Sequence, residues 1–165
     1  MILRHLLAIL LLPFMVVLVI PRWLLRGWAA SDTHWSSPAD SIGQVAGALI
    51  FLCGFALFAW CISLFARVGK GTLAPWDPTQ RLVVVGPYRH VRNPMISGVV
   101  TMLIGEAIFD GSRVLAIWAA TFVAFNYAFF LGFEEPNLAR RFGDDYRRYK
   151  AAVPRWIPRR TPWNG

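Results

Sequence analysis

The stretch IGQVAGALIFLCGFALFAWCISLF, residues 42–65, runs for 24 residues without one charged side chain. At about 1.5 Å per residue a helix of that length reaches roughly 36 Å, more than the roughly 30 Å of a bilayer's hydrocarbon core. Gly43, Gly47 and Gly54, with Ala46 and Ala48, offer small surfaces on which a second helix can pack closely. Arg67 and Lys70 close the run, followed by Gly69 and Gly71. A chain with such a segment is built around membrane helices, and the rest of the sequence agrees.

Upstream, residues 6–25 form a first apolar segment with Pro13 and Pro21 inside it and Arg22 and Trp23 near its far end. It could be a signal peptide, because Arg4 precedes it and Ala29-Ala30-Ser31 faintly resembles a cleavage site. Trp23, Leu24, Leu25 and Trp28 read instead as interfacial anchors, which favours a retained helix. Residues 31–41 are a polar loop. Downstream, residues 72–93 form a polar connector with Pro75, Pro78 and Pro87 and a turn at Trp76-Asp77-Pro78. Its run Leu82-Val83-Val84-Val85 suits a strand or an interfacial stretch and is too short to span. A third apolar segment, 94–109, and a fourth, 114–133, flank the tight turn Asp110-Gly111-Ser112-Arg113 and read as a helical hairpin. Residues 134–165 are a charged, amphipathic tail ending in Pro154, Pro158 and Pro162.

The expected fold is therefore an all-α integral membrane protein. It has about four transmembrane helices, with a short hairpin of the third and fourth, and an amphipathic C-terminal helix. Residues 1–165 form one domain. With 56% hydrophobic and only 16% charged residues, a soluble module is excluded, and the net charge of +8 is no mark of nucleic-acid binding. The charges cluster between apolar runs instead of covering one face of a soluble core. Cys53 and Cys61 are eight residues apart in one helix, too far for a disulfide. Three scattered histidines (His5, His34, His90) give no metal spacing, so no metal is expected. The positive-inside rule sets orientation. With the N-terminus cytoplasmic, Arg4, five cations of residues 67–93 and eight of 134–165 lie inside, 14 of the 17 lysines and arginines. Both termini and both polar motifs then share the cytoplasmic face of an inner or plasma membrane.

Those motifs carry the candidate chemistry. Gly86-Pro87-Tyr88-Arg89-His90-Val91-Arg92-Asn93-Pro94 leads into the third helix with proline at its first position, where a missing N–H is harmless. Asn93 is expected to cap that helix, and Arg92 beside the positive helix end offers an anion site. Glu134 and Glu135 follow the fourth span, where acidic groups at a helix C-terminus oppose the dipole and call for a cationic partner, Arg89, Arg92 or a ligand. Leu138, Phe142, Tyr146 and Tyr149 recur as one helical stripe. Glu106 and Asn126 fall inside apolar helices, and Glu106 is expected to bond a neighbour such as Asn126.

The order Gly86-Pro87-Tyr88-Arg89-His90-Val91-Arg92-Asn93-Pro94-x-x-x-Gly98, then Glu134-Glu135-x-x-Leu138-x-x-x-Phe142-Gly143-x-x-Tyr146-x-x-Tyr149-x-x-x-Val153-Pro154-Arg155, resembles the isoprenylcysteine carboxyl methyltransferase family. That family is related to the membrane phospholipid N-methyltransferases. The likeness covers residues 82–158. It departs at Asn93, where the family commonly has His, and at Ile96, where it has Tyr. The resemblance implies an integral-membrane methyltransferase using S-adenosylmethionine and acting on a lipid-like or hydrophobic acceptor (carboxylate, amine or thiol) at the cytoplasmic interface. By position it implies Arg92 and Glu135 as catalytic residues. Tyr88, His90, Val91, Asn93, Pro94, Gly98 and Glu134 would lie around the cofactor, and Tyr146, Tyr149 and Arg155 on the substrate side. Its expected partners are the lipid bilayer and an amphiphilic methyl acceptor. The competing readings are a nicotinamide-dependent membrane reductase and a non-enzymatic membrane scaffold.

Overall fold

The computed structural model describes residues 10–28, 40–69 and 81–165, and among them every regular element is helical. Arg4, the site at Ala29-Ala30-Ser31, most of the 31–41 loop and the Trp76-Asp77-Pro78 turn lie outside the described residues. Helix α1 (Ile20–Trp28) continues a run of wide π turns over Leu10–Val19 that contains Pro13. A proline deletes one helical N–H, and wider turns re-pair what remains. Helix α2 (Asp40–Leu64) passes into further π turns over Phe65–Gly69. The continuous helix Ser41–Val68 is 28 residues long and apolar enough to cross a membrane.

Helix α3 (Pro94–Phe109) has 16 residues, and α4 (Arg113–Phe129) returns beside it as the expected hairpin. Gly111 takes a φ of 59° in the turn, and the Ser112 hydroxyl accepts from the Leu115 amide at 3.3 Å to cap α4. α4 does not stop at its last apolar residue. It continues through π turns at Phe130–Glu134 into α5 (Glu135–Ala152), so this helix is the second one able to span. The wide turns sit just ahead of Pro136, whose missing N–H would otherwise interrupt the ladder. Glu134 and Glu135 therefore do not face an exposed helix C-terminus, contrary to the sequence expectation.

The packing of α2 on α3 forms the core. Gly47 lies against Gly105 and Gly54 against Gly98, a seven-residue spacing on both antiparallel helices that keeps each pair on one seam. A methyl group added at Gly54 would come within 2.7 Å of the Gly98 carbonyl, and one at Gly105 within 2.6 Å of the Phe51 amide. The glycines are what let the two backbones approach. Two helical turns beyond Gly54, Cys61 is fully buried and packs in the same cluster as Tyr88. The opposite side of α2 presents Val45, Leu49, Leu52 and Phe55, each more than half exposed. A ridge of that size would be a liability in water and suits hydrocarbon.

Two sequence expectations are corrected. Of the two alternatives for the run 82–85, the strand does not form. Glu106 does not bond Asn126: the Asn126 amide donates to the Phe122 carbonyl of its own helix at 2.8 Å. A hairpin that turns at Asp110–Ser112 sets Glu106 opposite residues near 116. That leaves Asn126 about 15 Å further along, by the helical rise.

Candidate active site

Three elements meet where the apolar helices end. A 3-10 turn (Gly86–Arg89) delivers the first motif, α5 supplies the second, and the segment after Val153 runs back across the first. Helix α5 is broken at Gly143, where φ is 53° and ψ is −127°. Such angles are open almost only to glycine. The consequence is large. Glu135 and Lys150 would lie about 22 Å apart along a straight helix, yet the Lys150 amine stands 2.8 Å from Glu135 Oε2. The break folds α5 into two arms, so the expected single stripe is instead two facing sides. Leu138, Ala139 and Phe142 of the first arm pack on Tyr146, Tyr149 and Val153 of the second, together with Leu82 and Val84 of the connector.

Glu135 is the centre of the assembly, only 5% exposed. Its Oε1 accepts from Arg92 Nη1 at 2.8 Å and from Arg155 Nε at 2.8 Å, with Arg155 Nη2 at 2.7 Å. The Arg155 guanidinium also lies over the Tyr127 ring, 5.2 Å from its centroid. Burial alone would raise the Glu135 pKa, but hydrogen bonds from Lys150 and Arg155 and the charges of Arg92 and Arg155 outweigh it and hold the carboxyl below its usual range. Glu134, the first residue past the apolar run, has no such company. Burial and then the neighbouring Glu135 charge push its pKa up to about 7.

The tail locks onto the first motif through its backbone. The Arg92 amide donates to the Pro154 carbonyl, Arg159 N–H to the His90 carbonyl and Trp163 N–H to the Arg89 carbonyl, at 2.9, 2.9 and 3.0 Å. Arg89 Nε donates to the Trp163 carbonyl at 2.8 Å. Beneath the tail, the Tyr149 hydroxyl donates to the Tyr88 carbonyl at 2.6 Å, with the Trp163 ring 5.5 Å from its own. Burial keeps the Tyr88, Tyr146 and Tyr149 hydroxyls above their ordinary range, so all three are neutral, and the Tyr146 hydroxyl accepts from Arg92.

Beside this junction lies a cavity of about 500 Å³. Its walls are Leu57 and Trp60 of α2, the 3-10 turn with Arg89, His90 and Val91, the start of α3 at Pro94 and Ser97, and Trp156, Pro158 and Pro162 of the tail. Of the residues singled out in the sequence, His90, Val91 and Pro94 line it, while Arg92, Glu135 and Arg155 form the ion cluster behind it. Tyr146 and Tyr149 are buried in the fold of α5, and Tyr88 beneath the turn. Gly98 is enclosed by Gly54 and Phe58 in the helix seam. Asn93 does not cap α3 with its side chain; its carbonyl takes both the amide and the hydroxyl of Ser97, each at 3.0 Å. Sequence reasoning missed Lys150, Trp60, Trp156 and Trp163. The positive φ forced by Phe142-Gly143 was the signal that could have brought Lys150 to Glu135. The tail's contacts are made largely by backbone and leave no pattern in side chains.

Two helices long and apolar enough to cross a bilayer, with a buried ionic cluster beside an apolar cavity, are features of a membrane-embedded helical protein. Residues 42–145 match the phospholipid methyltransferase family, and the chain belongs to that family. The match starts in α2 and ends in the second arm of α5, so it takes in the whole first motif and the second as far as Asp145, with Tyr146, Tyr149 and Arg155 beyond it. No match is found among curated proteins or among solved structures.

Proposed function

We propose that this chain is an integral-membrane methyltransferase that uses S-adenosylmethionine and acts on a hydrophobic or lipid-like acceptor at the cytoplasmic face. In this reading it has four spans, with both termini and the site on that face. The family assignment supports methyl transfer. The observation that carries the site is the ion cluster joining the two motifs, with Arg92 on one side and Glu134–Glu135 on the other.

The residues present fit the donor. Arg92 keeps a buried Nε without a hydrogen-bond partner although its Nη1 is committed to Glu135. Glu134 is a half-buried carboxylate with no hydrogen bond or ion pair among the described residues. These are complements for a carboxylate and an ammonium, the two charges of an amino-acid moiety. Glu135, whose oxygens face Arg92, Arg155 and Lys150, is better suited to hold Arg92 in place than to meet a further cation. Arg92 and Glu134 would thus hold the donor, with Val91 and Pro94 on the adjoining wall.

The bound donor supplies an electrophilic methyl group, and displacement at such a carbon demands alignment above all. What the chain contributes is position and dryness. Glu135 fixes Arg92, the tail fixes the backbone of His90 and Arg92, and tryptophan and proline side chains give the cavity apolar walls.

Calorimetric titration of the detergent-purified protein with S-adenosylmethionine and with its demethylated product tests the reading. Saturable binding of both is expected, with at least a tenfold loss of affinity in Glu134→Ala and no loss of thermal stability. A folded sample that binds neither would overturn it.

A further inference from the structure

We propose that the cavity between Trp60 and Trp156 is the site of a hydrophobic thiol acceptor, with His90 as its proton acceptor and Arg89 as the counter-charge of the thiolate. This rests on the methyl-transfer reading above. His90 Nδ1 lies 2.9 Å from the Arg159 carbonyl oxygen. A carbonyl can only accept, so Nδ1 carries the proton and the ring's second nitrogen, Nε2, is left with a lone pair. Nε2 has no hydrogen-bond partner among the described residues, and the ring lines the cavity. Arg89 uses Nε on Trp163, which leaves its terminal amino groups without a hydrogen bond or ion pair.

The cavity therefore has an oriented base, a cation, apolar walls and no acidic side chain; Arg89 is the only fully charged group besides the titratable His90 among its lining residues. That combination selects among acceptors. A long-chain amine is cationic near neutral pH and would be repelled by Arg89. A carboxylate is already a nucleophile and would leave the oriented base idle. A thiol enters neutral, as the apolar walls require, and leaves its proton as an anion that Arg89 stabilises. Thiols titrate within about 2 units of histidine, a gap that a neighbouring cation narrows, whereas a phenol lies about 3.5 units away. At about 500 Å³ the cavity suits a single medium-length chain.

In the step itself the S–H bond breaks, its proton passes to His90 Nε2 and the electron pair stays on the thiol sulfur. That pair forms the new S–CH3 bond as the donor's sulfonium C–S bond breaks, its electrons returning to the donor sulfur. His90 then releases its proton to solvent.

The test uses the full chain in detergent, with 1-octanethiol as probe and 1-octanol as its non-acidic twin. Histidine nitrogen NMR, assigned by the loss of one signal set in His90→Asn, is expected to show His90 protonated on Nδ1. His90→Asn retains a donor for the Arg159 carbonyl and removes the base. Thiolate absorbance is expected to show the bound thiol titrating at least about one unit lower than in detergent alone, with that shift reduced in His90→Asn, where Arg89 remains, and lost when Arg89→Ala is added. Thiol methylation should fall about 100-fold or more in His90→Asn. A proton on Nε2, an unshifted thiol, or equal rates in the two proteins would each overturn the proposal. Donor binding separates the two readings. A thiol shift without donor binding defeats methyl transfer and keeps the thiol site; donor binding without a thiol shift does the reverse.

Discussion

Replacing Gly143 by alanine isolates one physical effect. An added methyl group at this position meets no atom within 4 Å, so there is no overlap to relieve. What remains is the backbone, held at φ 53° and ψ −127°, where an L-residue's Cβ crowds its own chain. Holding a non-glycine residue in such a region costs about 1–3 kcal/mol. Gly132, in the π turns ahead of α5, also has nothing within 4 Å of an added methyl. Alanine there should be neutral or stabilise by up to about 1 kcal/mol, because helical glycine is unfavourable. The two variants carry the same chemical change and should move in opposite directions. Equilibrium unfolding in mixed micelles reads both. The break at Gly143 is also what brings Lys150 back to Glu135, so a short crosslinker joining cysteines placed at Leu138 and Tyr149 should react less efficiently in Gly143→Ala. If Gly143→Ala proves as stable as the parent, with crosslinking unchanged, the folded-back form of α5 is wrong.

Three further outcomes follow from the geometry. Glu135→Gln should destabilise by about 3–5 kcal/mol, because Arg92 and Arg155 are 11% and 14% exposed and would be left as buried charges without a counter-ion; Lys150→Ala, at a residue 48% exposed, should cost under about 1 kcal/mol in the same unfolding assay. Gly54→Ala should cost about 1–3 kcal/mol, since the methyl would meet backbone at 2.7 Å and neither helix can shift alone; thermal inactivation in detergent checks it. Glu134, with its folded pKa raised to about 7, contributes stability that is full below the unfolded carboxyl value and fades as pH rises through 7, and Glu134→Gln should remove that slope from a stability–pH curve.

Much of the helical frame was legible, because a charge-free run of 24 residues and a hairpin turn with glycine and serine have few other solutions. The close α2–α3 seam was legible in part: Gly47 and Gly54 stood out as small surfaces, but their partners Gly98 and Gly105 could be matched only once the antiparallel register was known. Two kinds of feature were not legible. Whether a helix stops before a proline such as Pro136 or widens its turns is settled by packing, which no sequence pattern shows; in the structure Phe130 lies against Trp156 at this point. The pairing of the tail with the first motif rests on backbone amides and carbonyls, which every residue has. Glu106 shows the limit of single-residue reasoning. That an acidic group in an apolar helix must face inward says nothing of what stands opposite it.

The placement of the ionic cluster bears on function through its cost. Bringing Glu135, Arg92 and Arg155 out of water requires several kcal/mol per ion before their attractions return it. A bundle that needed only to be closed at this end could use apolar side chains at less expense, as its α2–α3 seam does. The cluster instead gives direction. It holds a guanidinium whose Nε remains unbonded, beside a cavity whose histidine is oriented by a tail carbonyl. Arg92, His90 and Arg89 are each fixed by a contact between segments far apart in sequence: Arg92 by Glu135, His90 by Arg159, Arg89 by Trp163. A polar arrangement so over-determined exceeds what closing the bundle requires, since the glycine seam already holds α2 on α3; in the methyl-transfer reading proposed above, its task is to position reactants.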